Sequence, residues 1–584
     1  MVFMSKKKNL ERAIVLGLIL STGVYGNVLA ADPVGIGIDQ FKGDAKNGVI
    51  TVNEDTIVKG TGVYGPDVSS DSGQGGNAEV LKNSLFYRDG ELLNLTISAG
   101  DGVQLTFHNV NMLSPHIVRN GDGNGADIII LDNKENVDKT FAGISVTGII
   151  EGNSLTVNSG GRGIYTGVDN TKYPVIDNNN PFYGVKIDVI NGFEINSASD
   201  GIFNEGDSES DVTITAGDVI IDASARNGIY NAGQGTDLGN DVSVTAEKGN
   251  IKINLNDTTD RIDLASVKNT TSGKTELTAL KGAINLDSTR SGIWATKGKV
   301  SLKSGFGNTI TAQGYSVGNE FYGKGISVHA EGTVDDSTTV DLNAAAGNNE
   351  LYGAVAATGA GANVNLTHND NNGNSGSGSN FVYSAAVIDG AGDLDTSVGS
   401  KFEGKQVTSA LYAENGANIN LTGENTVGTW ANFNDDNTLE RTVWAYSDDK
   451  KVGSTINLTG AADIRTNNYE LSPKSADVAV AAGTATGLTA EIVNGFGKYA
   501  DDKRSVVNIN YADSATGGRS YIQGDILAAY AGEVNINPLA ENSRAANNAG
   551  ITITGNLLAG NNGVLIVDLG NGGKLTGRAD DYGD

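Results

Sequence analysis

The sequence predicts an all-β chain wound as a right-handed parallel β-helix, a β-solenoid. Three observations carry this. Short segments of period-two alternation recur from end to end, two residue patterns repeat at solenoid spacing, and glycine and asparagine are raised together. The alternating segments include residues 103–107, 155–157, 212–215, 242–245, 251–255, 300–302, 340–342, 507–510 and 551–554. Each sets β-branched or other apolar residues against polar ones, the mark of a strand with one buried face. No long window after residue 31 keeps a helical period.

The first repeated pattern is a Gly-Ile-aromatic step: Gly163-Ile164-Tyr165, Gly201-Ile202-Phe203, Gly228-Ile229-Tyr230 and Gly292-Ile293-Trp294. Looser copies are Gly143-Ile144-Ser145, Gly325-Ile326-Ser327 and Ser409-Ala410-Leu411-Tyr412. The second is Asn-x-Asn-Leu-Thr, at Asn363–Thr367 and Asn418–Thr422, with Thr455-Ile456-Asn457-Leu458-Thr459 close to it. Equivalent elements fall roughly 25 to 40 residues apart, or about twice that, a period that points to stacked coils. A coil of two or three short strands cannot bury its own apolar face. Stacking coils about 4.8 Å apart builds parallel sheets around a continuous core. Residues of a kind then lie above one another: Val and Ile inside, Asn in hydrogen-bonded ladders at the corners. At this period the chain would make about twenty coils and a rod about 100 Å long. A string of separate β-sandwiches is the alternative, and no domain-sized breaks support it.

Composition agrees. Of 584 residues, 80 are glycine and 7 proline, which excludes collagen with its fixed glycine period and abundant proline. Asparagine makes up about 11% of the chain. Glycine and asparagine tolerate the positive φ that tight corners demand. The net charge of −28 speaks against a nucleic-acid partner, because phosphate binding needs clustered Lys and Arg. Such a coat would also discourage rods from pairing edge to edge.

The one dense basic cluster, Lys6-Lys7-Lys8, belongs to an N-terminal leader. A basic region up to Arg12 precedes an apolar run from Ala13 to Val24, shorter than the roughly 20 residues of a membrane-spanning helix. Val28-Leu29-Ala30 fits a cleavage site. The expected signal peptide is 1–30, cut after Ala30, with Ala31 the second choice. The mature chain, 31–584, is expected to leave the cytoplasm. It has no cysteine although exported proteins are free to use disulfides, so its stability must come from repetitive packing and hydrogen bonding.

Two polar stretches interrupt the repeat and are expected to project as loops: Asp169–Asn180, followed by Pro181, and Asn369–Asn380. The first carries Tyr173 and ends beside Phe182 and Tyr183, a candidate contact loop.

Chemistry-bearing motifs are weak. The four histidines, His108, His116, His329 and His368, form no zinc motif, and a thiolate site is impossible. Gly273-Lys274-Thr275 lacks the upstream glycine of a phosphate loop and reads as a turn. Residues 123–129 match most of a calcium-binding nonapeptide, in a single copy. Paired acids at Asp335-Asp336, Asp435-Asp436, Asp448-Asp449 and Asp501-Asp502 could serve a glycosidase, but they sit in Asn-rich turns. No catalytic residue, metal or cofactor is expected.

The leader, the cysteine-free β repeat and the closing stretch resemble the passenger domain of a bacterial type V autotransporter, of the pertactin-like kind. The closest likeness is Ile551-Thr552-Ile553-Thr554-Gly555-Asn556-Leu557-Leu558-Ala559-Gly560 through Leu569, then Leu575-Thr576-Gly577-Arg578-Ala579-Asp580-Asp581. This run is similar to the last passenger coils before a translocator. The resemblance implies Sec export and a C-terminal outer-membrane β-barrel, with the passenger threading outward and folding as a stacked rod. This sequence departs from that pattern. Nothing after residue 551 supplies the strands of a barrel, so the chain is expected to be an incomplete product with the barrel encoded downstream. The function expected is adhesion or other surface contact, at the outer-membrane surface or beyond, with a host-cell, matrix or bacterial surface component as partner. A polysaccharide-acting enzyme and a two-partner secreted exoprotein are the rival readings.

Overall fold

A computed structural model describes residues 35–581, apart from 44–46, 61–86, 89–90, 93, 114, 132–141, 146–147, 167–183, 206–210, 233–238, 258–263, 314–324, 370–377, 386–405, 430–437, 448–451, 467–477, 485–503, 516, 530–531, 540–548 and 561–562. The described residues wind through three long parallel sheets of 16, 17 and 16 strands. One coil shows the path: Gly184–Val189 in sheet 1, Gly192–Ser197 in sheet 2 and Ile202–Asn204 in sheet 3. The next coil repeats it with Asp211–Ala216, Asp218–Ala223 and Ile229–Asn231, each strand pairing in parallel with its counterpart. The fold is a parallel β-helix, as the alternation implies.

Inward positions stack like on like. On sheet 1, Ile187, Ile214, Val244, Leu277, Leu302, Leu342 and Leu366 lie in one register column, all fully buried. Each such side chain contributes about 1.5–3 kcal/mol by leaving water, so the column itself drives the winding. A polar intrusion is satisfied: buried Thr275 donates its hydroxyl to Asn269 Oδ1 at 3.0 Å. At the N-terminal end the short helix Ile38–Lys42 places Ile38 and Phe41 against the same core.

The Gly-Ile-aromatic step is the entry into sheet 3. Its Ile points inward and its aromatic residue outward. The glycine is required by close approach. A Cβ on Gly292 would stand 2.6 Å from Ser327 O of the next coil and collide with Ile310 Cγ2. Gly325-Ile326-Ser327 is not a true copy. A register shift lies between Ile326 and Val328, and Val328-His329 pair with Ile293-Trp294.

Among the described residues the coils are fewer than the spacing suggests. Asn365 pairs directly with Asn420, and Asn457 with Asn508, so each doubled interval is a single coil. Sixteen sheet 1 strands at about 4.8 Å span about 70 Å rather than 100.

Candidate contact surfaces

Buried polar chemistry mostly serves the coil itself. The second residue of four successive sheet 2 strands forms an amide ladder. Asn308 Nδ2 donates to Asn349 Oδ1 at 2.8 Å, Asn349 to Asn380 at 2.9 Å, and Asn380 to Asn425 at 2.9 Å. All four are at most 1% exposed. His368 braces the ladder. Its Nε2 lies 3.0 Å from Asn380 Oδ1, and its Nδ1 lies 3.1 Å from Gly347 O. Burial pulls the His368 pKa below its ordinary value, against the opposing pull of these hydrogen bonds. Asn380 is therefore a core residue rather than a loop end. The ladder stops where Asn308 meets Ile284 of the preceding coil.

Two ion pairs are enclosed in the same way. Arg290 Nε and Nη2 donate to Asp257 Oδ2 at 2.9 and 2.8 Å, with both side chains almost fully buried. Arg162 Nε reaches Asp200 Oδ2 at 3.4 Å, and Asp200 also accepts from the backbone and side chain of Asn227. Burial raises the Asp200 carboxyl above its ordinary value, against the pull of Arg162.

The aromatic residues of the Gly-Ile-aromatic step form one outward row on sheet 3. Tyr165 stacks on Phe203 with centroids 5.5 Å apart, and Phe203 packs on Tyr230 at 5.0 Å. Lys268 fits between Tyr230 and Trp294, its Nζ 5.2 and 4.6 Å from their centroids. Trp294 stacks on His329. Burial and Glu205 push the Tyr165 phenol up to about 12. The row continues through Ala356, Tyr412, Trp444, Ala481 and Leu527, now buried in a second apolar cluster outside the main core. These rings cover one another's faces, so the row ties coils together and offers only edges to a ligand.

Sheet 1 carries a different surface. Charged residues stand among its early outward positions, including Lys186, Asp188, Lys274, Glu276, Lys299 and Lys303, beside neutral ones such as Thr213, Thr215, Ser243 and Thr245. Later it turns neutral. On Ala362–Thr367, Asn418–Thr422, Thr455–Gly460 and Ser505–Tyr511, twelve side chains at 363–367, 418–422, 455–459 and 506–510 face outward. Eleven are asparagine or threonine and the twelfth is Val506, in a chain that is 19% charged. The middle row is a second amide ladder: Asn420 donates to Asn365 at 2.9 Å, Asn457 to Asn420 at 2.8 Å, Asn508 to Asn457 at 2.8 Å and Asn535 to Asn508 at 3.0 Å. Charges close it at both ends: Asn365 donates to Asp341, and Asn535 also donates to Glu533. Asn365, Asn420, Asn457 and Asn508 each spend one N–H and one lone pair along the rod, which leaves further amide capacity for a ligand. The surface is thus a flat, uncharged lattice repeating about every 4.8 Å.

The residues singled out from the sequence fare variously. Ala30, Ala31, Tyr173, Phe182 and Tyr183 lie outside the described residues, as do the acid pairs at 435, 448 and 501 and most of the 369–380 stretch. Asp335 and Asp336 are exposed, and Asp336 pairs with Lys297 at 3.1 Å. In the calcium-like segment, Asp127 Oδ1 accepts from Asn153 Nδ2 and Ser154 Oγ of the next coil, a coil-to-coil clasp. Gly273 sits at a corner, while Lys274 and Thr275 open a strand. His108 is buried at a strand end. Among the described residues no three His, Asp or Glu converge as metal ligands. The sheet 1 lattice was readable as a repeat, but its role as a surface was missed. The signal was its run of outward residues without charge.

No protein-family model, curated protein or solved structure matches the chain.

Proposed function

We propose that this chain is the passenger of an exported surface-contact protein, a non-catalytic rod that presents a binding face along its length. The observation that supports it is the neutral asparagine–threonine lattice of sheet 1. A protein of net charge −28 needs charge on its surface for solubility, yet it withholds charge from four successive strands. A flat array of spare donors and acceptors suits many weak, repeated contacts with an extended partner, whose avidity rises with the number engaged. The 1–30 leader and the lack of cysteine support export, and an outer-membrane β-barrel, continuous with this chain or separate, would supply the route to the surface.

The test is display of the full-length protein on a bacterial surface, followed by adhesion to host cells, matrix and sister bacteria. Asn420→Lys with Asn457→Lys places two charges in the lattice and should reduce adhesion. The same pair of charges at Thr215 and Thr245, which also pair in register but lie on the half of sheet 1 that carries charged strands, should leave it unchanged. Equal adhesion by all three proteins would refute the reading. N-terminal sequencing of the exported chain should begin at Ala31 or Asp32.

A further inference from the structure

We propose that sheet 2, around the corner from the neutral lattice, carries a stacking site for a neutral pyranose ring. This rests on the surface-contact reading and names the ligand class. Tyr352 and Tyr383 occupy one outward column and are 47% and 44% exposed. The next residue in that column is Gly428. A Cβ built on Gly428 would stand 2.9, 3.3 and 3.6 Å from Cε1, Cδ1 and Cζ of Tyr383. The Tyr383 ring therefore reaches over the glycine, where a side chain would collide with it, and nearly half of the residue stays open to solvent. This is the opposite of the sheet 3 row, where rings cover one another. Beyond the glycine, Arg465 Nε and Nη2 donate to Asp463 Oδ1 and Oδ2 at 2.6 and 2.8 Å, and its guanidinium lies 5.0 Å from the Tyr521 ring centroid.

The chemistry selects the occupant. An open aromatic face carries the negative side of its quadrupole and attracts the C–H face of a sugar ring. The Arg465–Asp463 pair at the edge offers both donor and acceptor capacity to hydroxyl groups. The surroundings reject an anion: the fork's positive charge is already matched, Glu350 stands in the next outward column and accepts from the Tyr352 hydroxyl at 3.4 Å, and the chain is strongly acidic. A polymer of neutral hexoses could stack here and extend onto the amide lattice of the same coils.

Affinity electrophoresis of the full chain tests this, in native gels holding a β-glucan, a mannan or a galactan, with a sulfated galactan as the anionic arm. Retardation is expected in at least one neutral gel. Tyr383→Ala should weaken it about ten-fold, the scale of one lost anchor contact. Gly428→Val, which lifts the ring off the sheet, should do the same while leaving the circular dichroism spectrum intact. No retardation in any neutral gel, retardation in the sulfated gel alone, or full retention by Tyr383→Ala would overturn the proposal. If lattice charges abolish adhesion while every neutral glycan fails to bind, this inference falls and the surface-contact reading stands.

Discussion

The two amide ladders make a controlled experiment in burial. Asn380→Ala removes a fully buried amide that accepts from Asn349, donates to Asn425 Oδ1 at 2.9 Å and to Thr422 O at 3.1 Å, and lies 3.0 Å from His368 Nε2. Asn349 keeps a second acceptor, Thr367 O at 3.3 Å, but Asn425 Oδ1 and His368 Nε2 lose their ladder partner away from water. A stranded buried polar group costs about 1–3 kcal/mol, so two give a loss of about 2–6 kcal/mol. Asn420→Ala breaks two bonds of the same length in the sheet 1 ladder, where water can replace the partner, and should cost under about 1 kcal/mol. Hydrogen exchange with mass spectrometry reads both as opening free energies of individual strands. In Asn380→Ala the loss should fall on Ser379–Ser384 and Glu424–Thr429 and fade over neighbouring coils, because a solenoid is held by nearest-neighbour contacts. Equal losses in the two variants would refute the assignment of buried and open ladders.

Three further outcomes are expected. Gly228→Ala sets a Cβ 2.6 Å from Ser266 O and against Ile253, and should cost at least about 2 kcal/mol in urea unfolding, whereas Gly192→Ala, with open space around it, should be close to neutral. Asp257→Ala breaks the buried pair with Arg290 and should cost about 3–5 kcal/mol, while Asp257→Leu with Arg290→Met should recover most of it; a double variant no better than the single would contradict the enclosed pair. Burial lowers the pKa of His116, His329 and His368, so the unfolded chain takes up protons near 6.5 that the folded chain resists. Stability should fall as pH drops below 6.5, with each histidine contributing at most about 1.4 kcal/mol per pH unit. Asp200 works in the other direction, because its raised pKa adds stability at low pH that is lost as pH rises through its folded value. Thermal melts between pH 7 and 5.5 should show a shallower slope for His368→Gln than for the parent, and an unchanged slope would contradict the burial of that imidazole.

Much of the fold was legible because alternation is local. Segments 251–255 and 551–554 coincide with strands Ile251–Leu255 and Ile551–Thr554, and Gly201-Ile202-Phe203 marks a corner whose glycine, core residue and outward ring each have one cause. Coil count was not legible, because nothing within residues 365–420 says that its two asparagines are direct neighbours. Asn380 was misread for the same reason: its composition is that of a loop, but its partners stand 31 and 45 residues away. Alternation also tells which side chains face outward without telling what becomes of them. Tyr412 and Trp444 are as outward in register as Tyr165, yet they are buried, while Tyr352 and Tyr383 belong to no repeated motif and stand open. The neutral lattice emerges only when outward residues of successive coils are read down a column instead of along the chain.

Hydrogen-exchange and hydroxyl-radical footprinting of the displayed rod, free and bound to the surface it adheres to, tests the contact face most directly. Protection confined to the outward positions of sheet 1 between residues 363 and 510 and to sheet 2 at Tyr352 and Tyr383 is the expected result. Protection centred on the charged half of sheet 1, between residues 184 and 304, with the lattice left open, would contradict it.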